Sequence, residues 1–188
     1  MAAGLDASLK KTVVLVGMMG SGKTAVGKAL AARLTVPFLD SDEEIVKAAH
    51  RSIAGIFERD GEAFFRARET EVINRLLEEQ IGILSTGGGA FLAVQNRTMI
   101  AEKGVAVWLR TDIDLLWSRV RSKNTRPLLQ TENPYETLRD LCKTREPLYA
   151  KADLVVQGSS SYSIEDMVDV VCQVLKTRPD VMEIGKND

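Results

Sequence analysis

The stretch GMMGSGKT, residues 17–24, follows directly on the apolar run Val13-Val14-Leu15-Val16, and that succession decides the fold. It fits the pattern G-x-x-x-x-G-K-[ST] at every fixed position. Glycines at Gly17, Gly20 and Gly22 let the backbone wrap a phosphate with its N–H groups, so that the amides become the ligand. Lys23 brings a point charge to the β- and γ-phosphates, and the Thr24 hydroxyl suits Mg²⁺. A helix opening near Lys23 turns the positive end of its dipole toward the same anion. Contact with a nucleotide triphosphate is therefore assigned to Gly20, Ser21, Gly22, Lys23, Thr24 and Ala25. The bland alternative is a glycine-rich turn that happens to hold a lysine. A full match placed directly after a buried strand weighs against it.

The chain has 188 residues, enough for one well-packed domain and short for two. Its 25 basic residues balance 26 acidic ones, with no basic stripe and no aromatic interleaving, which argues against nucleic acid as the main partner. Residues 1–11 lack an apolar core of signal-peptide length, and no stretch approaches the roughly 18 apolar residues needed to cross a bilayer. A soluble cytoplasmic protein without membrane contact, working as a monomer, is expected. Cys142 and Cys172 have no C-x-x-C partner and read as buried thiols. His50, the single histidine, follows Ala48-Ala49 at a helix end and reads as structural.

Five apolar runs, Thr12–Val16, Pro37–Leu39, Ile81–Ser85, Val105–Leu109 and Asp153–Val156, are each followed by a helix-period segment. The spacing predicts an α/β fold of three layers around a five-stranded parallel sheet. Ser41 with Glu44, Thr111 with Asp114, and Ser163 with Asp166 have the three-residue spacing of capping boxes at helix starts. In such sheets the ligand sits beyond the carboxyl ends of the strands, so residues distant in sequence should converge there.

Two further strand ends carry unusual sequence. Asp40-Ser41-Asp42 would put two carboxylates beside the phosphates, one holding Mg²⁺ through water and the other orienting a hydroxyl nucleophile. Equally, Asp42 could simply cap the next helix. Thr86-Gly87-Gly88-Gly89 serves either as a turn or as bare backbone for a substrate to approach. Three arginines stand in distinctive settings. Arg66 follows Phe64-Phe65, whose rings could exclude water, and precedes Glu69 by three, so on a helix the carboxylate could fix the guanidinium. Arg126 lies in a polar, strand-free stretch that reads as a mobile lid. Arg145 precedes Glu146-Pro147, where the proline is expected to interrupt a helix and expose the arginine. A solvated surface ion pair is the competing reading for each.

Taken in order, GMMGSGKT, D-S-D, I-F-x-x-x-G-E-x-x-F-R-x-x-E, T-G-G-G, R-P-L-L and R-E-P-L-Y resemble the shikimate kinases, and the match spans Val13 to about Val156. The resemblance implies a P-loop fold of the nucleoside-monophosphate-kinase type, with a substrate-binding insertion over about 42–70 and a lid over about 121–133. It implies direct transfer of the ATP γ-phosphoryl group to the 3-hydroxyl of shikimate, with Mg²⁺. By motif, Asp42 would orient the attacking hydroxyl, Asp40 would hold a water of the metal shell, and Thr24 would bind the metal. Arg66 and Arg145 would clasp the carboxylate, and Gly87, Gly88 and Gly89 would line the acceptor. Lys23 and Arg126 would neutralise the moving phosphoryl, and Arg119 would lie on the adenine. The third strand lacks a terminal aspartate, and the serine-rich loop 157–163 lacks an arginine that some members place near adenine. Backbone contacts there could serve instead. The tail from Lys176 onward is expected to fray. A kinase of another polyol acid such as gluconate, and a catalytically silent binding protein, are the competing functions.

Overall fold

The computed structural model describes residues 7–123 and 126–185. In chain order its elements are β1 (Ala7–Leu9), β2 (Thr12–Val16), α1 (Lys23–Leu34), β3 (Phe38–Asp40), α2 (Ser41–Ala49) and α3 (Ile53–Glu79). They continue with β4 (Ile83–Ser85), α4 (Val94–Lys103), β5 (Gly104–Arg110), α5 (Ile113–Val120), α6 (Pro134–Tyr149), β6 (Leu154–Gln157), α7 (Ile164–Leu175) and β7 (Met182–Ile184). Five strands form one parallel sheet in the order β3-β4-β2-β5-β6. The chain travels outward to β3, back through β4, and then past β2 to the other side. β2 is therefore central, and its carboxyl end opens at the reversal of travel.

Successive side chains of a strand point to opposite faces, and β2 shows what that does here. Val13 and Leu15 pack with Val26 and Leu30 of α1 and Val168 and Val171 of α7. Val14 and Val16 pack on the other face, with Ile73 of α3, Ile100 of α4, Leu116 of α5 and Leu138 of α6. Both faces are covered, which is why the strands read as unbroken apolar runs rather than alternating ones. The segment α2 and early α3 adds a small core of its own from Ile45, Ile56 and Phe65.

α3 is two helical pieces joined at Gly61, whose φ of 83° and ψ of 170° are non-helical. That backbone region is open essentially to glycine alone, and a Cβ there would meet nothing within 4 Å. The bend therefore follows from the backbone angles of Gly61 itself.

Several expectations are corrected. α2 is capped by Asp40, not Ser41: the extended Asp40 accepts from the N–H groups of Asp42 and Glu43, whereas the Ser41 hydroxyl is buried without a partner among the described residues. α5 starts after Asp112 with no side-chain cap. Ser163 with Asp166 does form the reciprocal box. Pro147 does not interrupt α6, which runs on to Tyr149. The missing N–H costs only the bond to the Lys143 carbonyl in a helix that ends two residues later. Arg145 is accordingly buried, at 8% exposure, rather than exposed. Finally, the tail is tied down through residue 184: β7 pairs antiparallel with β1, and Val181 and Met182 are buried in the core. Residues 186–188 of the expected frayed end lie outside the described residues, as do 124 and 125 of the expected lid.

Candidate active site

The phosphate loop has the backbone its glycines imply. Gly17, Gly20 and Gly22 stand at φ of 142°, 82° and 93°, and Gly22 is the cap of α1. Lys23 is buried at the first position of that helix, where its ammonium donates to the carbonyls of Gly17 (2.8 Å) and Met18 (2.9 Å). Burial, reinforced by the charge of Arg126, lowers its pKa to about 8, against the pull of Asp42 and Asp40. Arg119 of α5 donates from Nη1 to the Gly20 carbonyl at 3.0 Å. The Thr24 hydroxyl lies 3.4 Å from Asp40 Oδ2, while Asp40 Oδ1 caps α2. One carboxylate thus serves both the helix and the edge of the phosphate site.

With Asp40 taking the cap, Asp42 is left free, and its carboxylate faces Gly87. A Cβ on Gly87 would stand 3.0 Å from Asp42 Oδ1 and 3.2 Å from Glu69 Oε1. On Gly88 it would stand 3.4 Å from Arg145 Nη1, and on Gly89 it would overlap the Arg66 guanidinium. The turn thus runs against the charged side chains that sequence reading had set apart: a Cβ on Gly89 or Gly87 would crowd them, whereas on Gly88 it would make ordinary contact with Arg145. Burial, then the charge of Asp40, raises the Asp42 pKa, while Lys23, Arg66 and Arg126 oppose the rise.

Arg66 is held as the spacing foretold, with Nη1 donating to Glu69 Oε2 at 2.7 Å. Its guanidinium also sits 5.2 Å from the centre of the Phe65 ring. Phe65 is buried, but Phe64 is 44% exposed and lies under Arg68 instead, so one ring of the pair excludes water and the other does not. Glu69 is almost wholly buried, which raises its pKa against the pull of Arg66. Its other oxygen, Oε1, has no hydrogen-bond partner among the described residues.

Two cavities flank these groups. One, of about 510 Å³, runs along the phosphate loop to Arg119, Thr111, Gly158, Tyr162 and Ile164. The other, of about 760 Å³, is bounded by Arg66, Glu69, Arg145, Phe57, Leu128 and the three glycines. Met19, Asp42, Gly87, Gly88 and Arg126 line both. Arg126 stands in that common wall with a buried Nε that has no partner among the described residues. Beside it the stretch expected to be polar is anchored by Leu129, which is buried in the main core.

Sequence reasoning placed loop 157–163 at the far end of the first cavity but not the side chains that line it. The loop brings Tyr162 there, and Ile164 and Met167 of α7 join it; the Ser163 box signalled a helix start but not which neighbours turn inward. It also missed Tyr149, whose buried hydroxyl donates to the Gly88 carbonyl at 2.5 Å.

Among the described residues no cluster of three or more histidine, cysteine or acidic residues could hold a metal ion, and no helix is long and apolar enough to cross a membrane. Cys142 and Cys172 are free and buried. His50 ends α2 in the left-handed region, at φ 50°.

A family model described as shikimate kinase matches residues 19–176. The chain is 64% identical over 179 residues to a shikimate kinase of Ruegeria pomeroyi, covering 95% of this chain and 92% of that protein. Its structure superposes with a TM-score of 0.84 on the shikimate kinase from Acinetobacter baumannii solved in complex with shikimate, at 40% identity, covering 89% of this chain and 93% of that one. A gluconokinase from Sinorhizobium meliloti shares the fold, with a TM-score of 0.63 at 18% identity over 90% of this chain and 93% of that one.

Proposed function

The chain belongs to the shikimate kinase family, and from that premise we propose how its residues move the γ-phosphoryl group of ATP onto the 3-hydroxyl of shikimate. The products are shikimate 3-phosphate and ADP, on the route to chorismate and the aromatic amino acids. The observation that carries the reading is the common wall. ATP lies along the phosphate loop with its γ-phosphate at Met19 and Gly88, the acceptor fills the second cavity, and Asp42 and Arg126 stand where the two meet.

Arg66 and Arg145 clasp the acceptor carboxylate, each charge-assisted hydrogen bond contributing about 1.5–3 kcal/mol. The N–H groups of Gly88 and Gly89 meet ring hydroxyls, and Gly87 lets Asp42 come close to them. Asp42 orients the 3-hydroxyl and takes its proton as the new O–P bond forms and the bond from the γ-phosphorus to the bridging oxygen breaks. Its raised pKa suits that task. Lys23 and Arg126 neutralise the equatorial oxygens during the in-line passage, and the adenine lies between Arg119 and the Tyr162 loop. No phosphoenzyme is needed, because phosphoryl transfer asks mainly for position and positive charge.

The donors at the loop edge fit Mg²⁺. The Thr24 hydroxyl and the neighbouring Asp40 carboxylate are hard oxygens, and the want of a dedicated acidic cluster among the described residues suits an ion that keeps several waters and leans on substrate phosphates. Thr24 would hold it directly and Asp40 through water, and when bound it neutralises phosphate charge. The enzyme works as a monomer, since one chain supplies every residue named. A cytoplasmic enzyme fits its dependence on ATP and its two unpaired buried thiols. The chain acts as a single P-loop kinase unit, with residues 42–70 forming the acceptor insertion and 121–133 the lid.

A coupled ADP-release assay with shikimate, gluconate and quinate tests the reading. Shikimate alone should support turnover, and chelation should abolish it until Mg²⁺ is returned. Preference for gluconate, or ligand binding without any ADP release, would overturn it.

A further inference from the structure

The backbone after β4 is flexible by composition, yet the carbonyls of residues 87–92 are all engaged. Gly87 O accepts from Ala90 N–H at 3.1 Å and Gly89 O from Leu92 N–H at 3.2 Å. Asn96, itself 1% exposed, donates to Ala90 O at 2.8 Å, and Arg97 donates to Phe91 O and Leu92 O at 2.8 and 2.7 Å. Gly88 O is the exception to this local pattern: its donor comes from α6, the Tyr149 hydroxyl, 61 residues away.

That bond matters because of what it fixes. A trans peptide points its C=O and N–H in opposite directions within one plane, so holding the Gly88 carbonyl against Tyr149 aims the Gly89 N–H away from it, and Gly89 lines the acceptor cavity. The unit between Gly88 and Gly89 has glycine on both sides. Neither residue resists positive φ, so nothing intrinsic to the chain prevents this peptide from turning over. Tyr149 is at 0% exposure, and burial pushes its phenol up to about 12, so it stays a donor through the working range. It lies one helical turn beyond Arg145, whose guanidinium approaches both Gly88 and the Tyr149 hydroxyl, and that hydroxyl also reaches Met18 Sδ at 3.8 Å. The same helix face thus supplies both a ligand for the carboxylate and the anchor of the neighbouring amide.

We infer that Tyr149 is a positioning residue for the acceptor: its hydroxyl locks the Gly88–Gly89 peptide so that the Gly89 N–H is presented to shikimate. The inference rests on the assignment of the second cavity to the acceptor. The test is Tyr149→Phe, which removes one oxygen and keeps the ring that packs beside Trp108. The KM for shikimate should rise about tenfold, with the KM for ATP within twofold of wild type and the melting temperature little changed. A merely structural role would instead lower the melting temperature and shift both KM values together, and that result, or an unchanged shikimate KM, overturns the proposal. A second measurement does not depend on how the variant folds: in the wild-type protein the Gly89 amide resonance should shift on adding shikimate, and no response would also overturn it. Arg145→Ala separates the two readings. If it too leaves shikimate binding unchanged, the cavity is misassigned; if it weakens binding while Tyr149→Phe does not, only the lock is lost.

Discussion

The nucleotide cavity and the acceptor cavity share a wall, yet they are built in different ways. The phosphate-loop end of the first is one contiguous segment, residues 19–26, with glycines at positive φ, while strand ends, α5 and the start of α7 close the rest. The second takes Met19 from the phosphate loop and Asp42 from α2, and gathers the rest from α3, the turn after β4, the segment after α5, and α6. Its parts are held in place by one another: Arg66 by Glu69, and Gly88 by Tyr149. A phosphate end made from one loop tolerates change elsewhere in the fold. A site made from six segments depends on every element that carries a part of it.

The largest effect should fall on the wall common to both. Arg126→Ala should lower kcat by about 10³-fold or more, as for arginines that neutralise a transferring phosphoryl group. A change confined to the KM for ATP would move Arg126 to the nucleotide side alone. Asp42→Asn should lower kcat by about 10²–10⁴-fold while ATP binding, measured by calorimetry, stays near wild type; undiminished turnover would remove Asp42 from the chemistry. On the acceptor side, Arg145→Ala should raise the KM for shikimate by roughly 10–150-fold, the equivalent of one charge-assisted hydrogen bond, with little change for ATP. Equal losses for both substrates would mean that the two cavities are not energetically separate.

Gly61→Ala probes how far the acceptor side depends on its support. It should cost about 1–3 kcal/mol, because alanine must enter a backbone region reserved for glycine. A denaturant titration reads this, and an unchanged midpoint would show that α3 can straighten. The smallest effect belongs to the nucleotide side. Because burial brings Lys23 down to about 8, raising pH through that value removes its charge, and kcat/KM for ATP should decline on the alkaline side. Asp42 sets the acid side with the opposite sense: its raised pKa means that protonation, and loss of rate, begins above the ordinary carboxylate range. A flat profile from pH 7 to 9 would sever Lys23 from ATP capture.

The same contrast explains which parts of the protein could be read from its chain. The central strands announced themselves because both faces of β2 and β5 are buried, leaving no polar residue to break the run. The Arg66–Glu69 pair was legible because a helix makes positions three apart neighbours. Helix caps were harder, since a serine and an aspartate one residue apart compete for the same N–H groups, and the extended geometry at the end of β3 decided for Asp40. Burial of Arg145 was hidden because Pro147 suggests a break unless one knows where the helix ends. The pairing of β1 with β7 joins residues 7–9 to residues 182–184, and no local pattern reports a contact of that range.

By itself the sequence determined what depends on neighbours along the chain: the phosphate loop with its glycines, the buried strands, and the carboxylate and guanidinium groups available for chemistry. Tertiary structure alone decided that Asp42, Arg66 and Arg145 gather at the same glycine turn, and that a tyrosine on a distant helix holds one of its carbonyls. The reason is physical. Backbone conformation and side-chain period act over a few residues, whereas the closeness of two segments depends on how whole layers pack.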